Sequence, residues 1–329
     1  MRYFFLFSLV LFAFSCESDG KKVYAESNGR MNRLLVVVDD SIWEGEEGDS
    51  LRAFLNAPVL GMPQEESQFD LTHVRKHAFG KMFKLSRNVL FVGIDSINEF
   101  DTSRNVYAKP QQIISLKAKD KSSLRQMISN YGDQIVNTFK ASDIENIQLS
   151  NSLTSHSEDY FSTFVNLGIS VQIPDFFKLV EDTGDFIWLR QHLSGGIAKG
   201  DGSSNILVYS TPIPKTKVGL PEIISKIRDS IGKQHIPGRK PDMYMITEKL
   251  FRPRVFKTKI NDNTCYITHG KWELLNDFMA GPFLNLIVED KKNKRWIVLE
   301  AFVYAPSVNK RDYIFESEAI LKTFRFLDH

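Results

Sequence analysis

The chain is poor in cysteine, since only Cys16 and Cys265 occur among its 329 residues. Two cysteines form at most one bridge, which excludes the framework of several disulfides that holds many small secreted domains together. An excess of either charge is also lacking, because 42 Lys and Arg residues balance 40 Asp and Glu residues and leave a net charge of +2. We therefore expect no basic patch and no nucleic-acid partner, since nucleic-acid binding requires a concentrated positive field.

Motifs that hold phosphates or cofactors are missing as well. In the glycine-rich residues 194–204, Gly195 and Gly200 have the spacing of a P-loop, but Asp201 stands where the motif requires Lys. This stretch is better explained as a flexible connection between two strands. No GxSxG motif occurs and no dinucleotide-binding fingerprint follows the first predicted strand, so we predict no cofactor.

Patterns that would bind a metal are weak. His73 and His77 are four residues apart, as two zinc ligands on one helix face would be. Val74, Arg75 and Lys76 stand between them, so the Glu of a HExxH motif is missing. The two neighbouring cations would also repel a metal ion. We predict no metal site.

The N-terminus carries the longest apolar run of the chain. Arg2 precedes residues 3–14, which are apolar except for Ser8, and the run ends at Ser15 and Cys16. This pattern is typical of a secretory signal peptide, and the run is shorter than the roughly 20 apolar residues that a membrane-spanning helix needs. We predict that residues 1–15 are a signal peptide that is removed on export.

The position of Cys16 directly after this run predicts lipidation. Residues 13–16 resemble the lipobox of bacterial lipoproteins, in the relaxed form found in Bacteroidetes. That resemblance implies acyl chains such as palmitate on Cys16, a polar tether over residues 16–29, and a protein anchored to the outer membrane on its periplasmic or surface face. The alternative is ordinary cleavage near Ser15, with Cys16 left as a free or disulfide-bonded thiol.

The remaining chain is long for one hydrophobic core, so we predict two domains, at residues 30–165 and 166–329. In the first, short apolar runs predict strands buried on both faces, at residues 34–38, 89–94 and 112–118. Apolar residues spaced by three or four from Leu124 to Phe139 predict a long amphipathic helix, with a polar break near residues 141–143 after which Ile144 and Ile147 predict that the helix resumes. This half is therefore expected to be α/β-like.

The second half is dominated by alternation of apolar and polar residues, which predicts half-buried antiparallel strands. The predicted strands include residues 185–193, 205–209, 282–289 and 295–304. Helices are expected from Pro221 to Gly232 and over residues 310–326. An antiparallel sheet with flanking helices, following an α/β-like half, gives α+β as the predicted fold class.

Several segments resemble a known family over nearly the whole length of the chain. They are GRMNRLLVVVDDSIWEGEEGDSLR, RNVLFVGID, ISVQIPDFF and EAFVYAPSVNKRDYIFESEAILKTF. These segments resemble a family of exported Bacteroidetes lipoproteins defined by domain of unknown function 4837, which implies location and architecture but no activity. The second half is also similar to Mog1/PsbP-like modules, which implies an assembly or interaction domain.

Strand alternation in the second half places aromatic and charged side chains together on one face. We interpret this face as a recognition surface, because aromatic residues and Arg contribute most of the energy at binding sites. Its members are Trp188, Arg190, Trp296, Glu300, Phe302 and Tyr304. The alternative is that the face packs on the first domain, with Arg190 and Glu300 forming an internal ion pair.

Acidic residues follow the first predicted strand and suggest a second, catalytic site. Asp39 and Asp40 stand at its carboxyl end, where ligands bind in open α/β sheets, and His73 ends the next strand. The alternative is that the two Asp residues end the strand and solvate a loop. We expect Cys265, in a strand-like run, to be a buried inert thiol rather than a nucleophile activated by His269.

These features lead to two hypotheses about function. The first is a noncatalytic binding or assembly module of the bacterial cell envelope, with a membrane contacted through the N-terminal lipid and an envelope protein as a possible partner. The second is an envelope hydrolase that uses Asp39, Asp40 and His73. The missing catalytic motifs favour the first.

Overall fold

A computed structural model describes residues 23–194 and 202–327. The predicted signal peptide (1–15), lipidation at Cys16, part of the predicted tether and most of the glycine-rich stretch lie outside the described residues. Among the helices that are described, none is both long and apolar enough to cross a membrane.

The described chain alternates strands and helices in its first half and is rich in strands in its second. Its helices are α1 Asp40–Trp43, α2 Glu46–Leu55, α3 Lys81–Lys84, α4 Lys121–Ser152, α5 Ser162–Leu167, α6 Leu220–His235 and α7 Arg311–Leu321. The strands of the first half are β1 Ala25–Glu26, β2 Arg33–Val37, β3 Asp70–Val74, β4 Asn88–Ile94, β5 Glu99–Arg104, β6 Ala108–Lys109 and β7 Gln112–Ala118. Those of the second half are β8 Ile169–Ser170, β9 Lys178–Asp182, β10 Phe186–Leu193, β11 Gly202–Pro212, β12 Met245–Thr247, β13 Arg254–Ile260, β14 Asn263–Leu274, β15 Ala280–Asp290, β16 Arg295–Tyr304 and β17 Arg325–Phe326.

The first half is built on a five-stranded sheet in the order β3-β2-β4-β7-β5. Four of its strands are parallel and β5 is antiparallel at one edge. Alternate residues of β2 face opposite sides: Leu34 and Val36 join the core under α2 and α4, while Leu35 and Val37 pack with Phe79 on the other side. Burial on both faces explains the continuous apolar runs of β2 and β4.

The second half is built on an eight-stranded antiparallel sheet in the order β12-β14-β15-β16-β11-β10-β9, with β13 also paired to β14. Alternation along β16 divides its side chains between two cores. Ile297, Leu299 and Ala301 face the core that includes residues of α5 and α7, and Trp296 and Val298 face the core that includes residues of α6. The predicted α+β class is confirmed.

The predicted polar break in α4 is wrong, because the helix continues to Ser152. Asp143, which suggested the break, is fully buried and anchors the helix to the first sheet. Its carboxylate accepts hydrogen bonds from the Asn32 backbone N–H at 2.8 Å and from Asn88 Nδ2 at 3.0 Å. A buried polar residue with partners is compatible with a continuous helix. The last predicted helix is shorter than expected, since α7 ends at Leu321 and β17 follows.

Asp143 predicts a specific dependence of stability on pH. Burial raises the pKa of this carboxyl above its ordinary value of 3.8, against the opposing hydrogen bonds from Asn32 and Asn88. The folded state therefore binds more protons than the unfolded state between 3.8 and the raised pKa, so stability falls as pH rises through that window. We expect Asp143→Asn to remove this fall, because the group that titrates is replaced by a neutral amide, whose oxygen can still accept the Asn32 backbone N–H. Urea unfolding at a series of pH values, compared with wild type, measures the difference. An unchanged pH slope in Asp143→Asn would contradict this assignment.

The two halves contact each other through α4 and α7. Ile147 of α4 packs against Phe315 and Ala319 of α7. The carboxylate of Glu66 accepts the backbone N–H groups of Lys310 and Arg311 at 2.8 Å each, so a side chain of the first half caps the start of α7. These contacts join α7 of the second half to α4 and Glu66 of the first half. The domain boundary at residues 165 and 166 stays a prediction.

Candidate functional site

The predicted recognition face lies in the interior of the second half. Trp296, Phe302 and Trp188 belong to the core that α6 covers, and Tyr304 packs against that core while partly exposed. Glu300 is buried among the same strands. The side chains share one face, as the alternation predicts, but a helix of the same half covers most of it.

The buried carboxylate of Glu300 pairs with Arg228 rather than with Arg190. Arg228 Nε and Nη2 donate to Glu300 Oε2 and Oε1 at 2.8 and 2.6 Å, and both side chains are 1% exposed. Arg190 lies on β10, which β11 separates from Glu300 on β16. Its guanidinium stacks on Trp188 at 4.4 Å and donates to Asn205 Oδ1, and burial lowers its pKa. The sequence did carry a signal for Arg228, because it stands four residues after Ile224 on the apolar stripe of α6.

The structure brings Asp40 and His73 together at the carboxyl ends of β2 and β3. His73 Nε2 lies 3.9 Å from Asp40 Oδ1 and 2.9 Å from the Val38 carbonyl oxygen. Arg75 forms an ion pair with Asp40, and this bond holds the pKa of the carboxyl below its ordinary value. The neighbouring Asp39 lies 3.8 Å from a lysine ammonium, Lys76 Nζ. Both carboxylates are therefore close to cations that neutralise them.

Other reactive side chains have little catalytic character. Burial raises the pKa of the Cys265 thiol to about 12, and the side chain is inaccessible, so it is protonated at neutral pH. Within residues 23–194 and 202–327, no three His, Cys, Asp or Glu side chains are grouped so that they could hold a metal ion.

A cleft between the two halves lies where residues 58–62 cross β14. Gly61 permits this crossing: its φ is +80°, and a Cβ there would lie 3.0 Å from the backbone N and O of Gly270. Cavities of about 300 and 210 Å³ open on the two sides of the crossing and share four lining residues, which are Pro58, Val59, Leu60 and His269. We call this pair of cavities the interdomain cleft.

The larger cavity holds a cation, Lys140, that forms no ion pair with any carboxylate of residues 23–194 and 202–327. Lys140 Nζ donates to the amide oxygen of Gln68, and burial lowers the pKa of the ammonium. Glu318, whose negative charge acts on Lys140, forms an ion pair with Lys322 at 2.6 Å. Arg311, also in this cavity, is already bound by two acids of its own.

His269 connects the two cavities and is neutral at pH 7. Burial lowers its pKa, Lys140 and Lys322 lower it further, and Glu318 opposes the shift. The smaller cavity adds Arg252, Arg254 and Lys271 to its lining. The interdomain cleft thus combines a neutral imidazole with several cations, an arrangement that suits an anionic group. Its residues come from segments far apart in the chain, and no single stretch of sequence marked them.

The expectation of no basic patch is wrong for residues 249–259. This segment contains five Lys and Arg residues and no Asp or Glu. All five cations are exposed, as are three apolar side chains between them. The net charge of the whole chain is near zero, so it gave no indication of this local excess of positive charge.

Two family models match the chain. One, described as Domain of unknown function (DUF4837), matches residues 157–323, and the other, described as Domain of unknown function (DUF8532), matches residues 27–152. Residues 29–52 and 87–95, which suggested the first family, fall within the second model. The resemblance to DUF4837 is thus confirmed for the second half and not for the whole chain.

Solved structures with partial similarity include a Mog1 protein. The Ran-binding protein Mog1p of Saccharomyces cerevisiae is 9% identical, with 49% of this chain and 91% of that chain covered and a TM-score of 0.33. A protein from Bacteroides thetaiotaomicron is 11% identical over 50% of this chain and 47% of its own, with a TM-score of 0.27. Scores of this size do not establish a shared fold. No curated protein matches. The DUF4837 model covers half of the chain, so this protein belongs to the DUF4837 family.

Proposed function

We propose that this protein is a noncatalytic binding or assembly module of the bacterial cell envelope, held at a membrane by lipid on Cys16. The interdomain cleft contacts an anionic group of its envelope partner. One observation carries the proposal: Lys140 is a largely buried cation whose direct partner is the neutral amide of Gln68.

The electrostatics of the interdomain cleft support an anionic ligand. A largely buried ammonium that has no carboxylate beside it among the described residues is destabilised by the loss of water, and this loss lowers the pKa of Lys140. A carboxylate or phosphate that entered the larger cavity would restore the missing charge, and charge-assisted hydrogen bonds of this kind are about twice as strong as neutral ones. Leu60 and Val59 provide apolar contacts beside it.

The state of the reactive groups supports a noncatalytic role. The Cys265 thiol is protonated and inaccessible. In the Asp40 and His73 pair, Nε2 of the imidazole lies 2.9 Å from the Val38 carbonyl oxygen and donates its proton there. That nitrogen is therefore held as a donor, which leaves Nδ1 as the one nitrogen of His73 that can accept a proton.

The alternative, an envelope hydrolase, is favoured by one observation, the closeness of His73 and Asp40 at the sheet edge. This alternative predicts activity in a screen of esterase, phosphatase and glycosidase substrates, and it predicts that Asp40→Asn abolishes that activity. Asp101→Asn, on the exposed strand β5, is a matched control. Activity lost in Asp40→Asn and kept in Asp101→Asn would replace the binding module with the hydrolase.

Crosslinking in intact envelopes, followed by purification and mass spectrometry, tests the binding role. We expect wild type to retain a discrete partner, Cys16→Ala to lose it through lost anchoring, and Lys140→Met to remain anchored but retain far less. Lys119→Met, which changes an exposed lysine, should behave like wild type. Equal partner recovery with Lys140→Met and wild type would contradict the role of the interdomain cleft.

A further inference from the structure

Residues 249–259 form an exposed surface of mixed basic and apolar character. They comprise the loop after β12 and most of β13. Leu250 is 88% exposed, Phe251 54% and Phe256 48%. We call this segment the basic edge. Apolar side chains exposed to this extent beside a cluster of cations are typical of an interaction surface.

The cations of the basic edge are mostly unneutralised. Arg252 pairs with Glu222 at 2.7 Å. In the part of the chain that the structure describes, the other four make no ion pair: Lys249, Arg254, Lys257 and Lys259. Their combined charge therefore remains available to a partner.

The side chains of the basic edge lie along the outer rim of the second sheet, where a surface that approached the rim would contact them. β13 pairs with β14 on one side and has no partner on its other side among the described strands. Val255 and Ile260 pack toward opposite cores, so side chains from both faces of β13 flank its open edge. Lys257 and Phe256 thus stand on either side of the same rim.

Protection against edge-to-edge aggregation explains only part of this surface. Lysines on an edge strand discourage pairing with another strand, and Lys257 and Lys259 fit that role. Leu250 and Phe251 do not, because they precede the strand and expose apolar surface. An added strand would pair along β13 and leave Leu250 uncovered. A flat anionic surface would cover the loop and the strand together.

We propose that the basic edge binds the anionic surface of a lipid bilayer, with Leu250 and Phe251 entering the headgroup region. Cations near an anionic leaflet each strengthen association about fivefold, and apolar tips add interfacial burial. The inference rests on the proposed location at a membrane. It requires neither lipid on Cys16 nor a ligand in the interdomain cleft, so it can fail or succeed separately from them.

A site-specific fluorophore tests this contact. The full chain carries Cys16→Ser and Leu250→Cys, and the new thiol is labelled with a polarity-sensitive dye. Cys265 does not compete for the dye, because it is inaccessible and its pKa is about 12. The matched control carries the label at Met82→Cys. This exposed position is on α3, which lies on the side of the first sheet opposite to α4.

We expect vesicles that contain phosphatidylglycerol to shift the emission of the label at position 250 to the blue, and high salt to reverse the shift. Vesicles of phosphatidylcholine alone, and the label at position 82, should give no shift. Adding Lys257→Gln and Lys259→Gln should weaken binding roughly 30-fold, since two cations are lost.

Three results with vesicles would overturn the proposal. They are no shift at position 250 with anionic vesicles, an equal shift at position 82, and a shift that neutral vesicles also produce. A response to polyglutamate but not to vesicles would also overturn it, because it would identify an acidic protein as the partner. Neither the vesicle results nor the polyglutamate result depends on Lys140, so the test is independent of the larger cavity, whereas Arg252 and Arg254 of the basic edge also line the smaller one.

Discussion

Arg228→Ala is expected to lower the free energy of unfolding by about 3–5 kcal/mol. The substitution leaves Glu300 buried and charged without its counterion, and both side chains are 1% exposed in the native protein. Arg228 Nη1 also donates to Thr247 Oγ1 at 2.8 Å, and its guanidinium lies 3.6 Å from the Phe283 ring. The loss therefore combines an unpaired charge, a broken hydrogen bond and a cavity under α6. Urea unfolding followed by tryptophan fluorescence measures it, because Trp296 lies in the same core.

Two further variants show whether the buried charge is the cause. Arg252→Ala removes an exposed arginine that pairs with α6 through Glu222, and should have a much smaller effect. The double variant Arg228→Met with Glu300→Leu removes both charges and should lose less stability than Arg228→Ala alone. If Arg228→Ala is no less stable than Arg252→Ala, the ion pair does not hold α6 to the sheet.

Phe139→Ala is expected to cost a similar amount, about 3–5 kcal/mol, for a different reason. Phe139 is fully buried on the face of α4 that packs on the first sheet, and its ring meets Phe69 edge to face at 6.4 Å. The substitution removes a large apolar side chain and leaves a cavity that a sheet packed against a 32-residue helix cannot easily close. Thermal and urea unfolding measure the loss.

Phe278→Ala is the matched control for this prediction, because it makes the same chemical change at a fully exposed side chain. Its stability should remain within about 0.5 kcal/mol of wild type, as is usual for surface substitutions. A loss of less than about 1 kcal/mol in Phe139→Ala would mean that α4 is not held by this core.

A strand could be predicted where its two faces have simple environments. β7 matches its predicted residues and β16 does too, since one is buried on both faces and the other divides its side chains between two cores. β5, with the sequence EFDTSR, escaped prediction, because an exposed edge strand needs few apolar residues. The break expected in α4 failed because a local polar residue, Asp143, has partners distant in sequence.

The predicted recognition face shows what alternation can and cannot establish. Period-two spacing places Trp296, Glu300 and Phe302 on one face, as the structure does. What covers that face depends on α6, whose Arg228 comes from another part of the sequence. The interdomain cleft also depends on distant parts of the sequence, because Lys140 and His269 come together only when both halves are folded. Sequence periodicity therefore predicted the elements but not their partners.

The central claim, that the interdomain cleft binds an anionic envelope partner, is tested most directly by a photo-crosslinking residue at position 60. Leu60 is 38% exposed and lines both cavities. In intact envelopes we expect an adduct of discrete mass from position 60 that Lys140→Met strongly reduces, and no such adduct from position 153, an exposed residue just after α4. Absence of an adduct from position 60, or the same adduct from position 153, would contradict the claim.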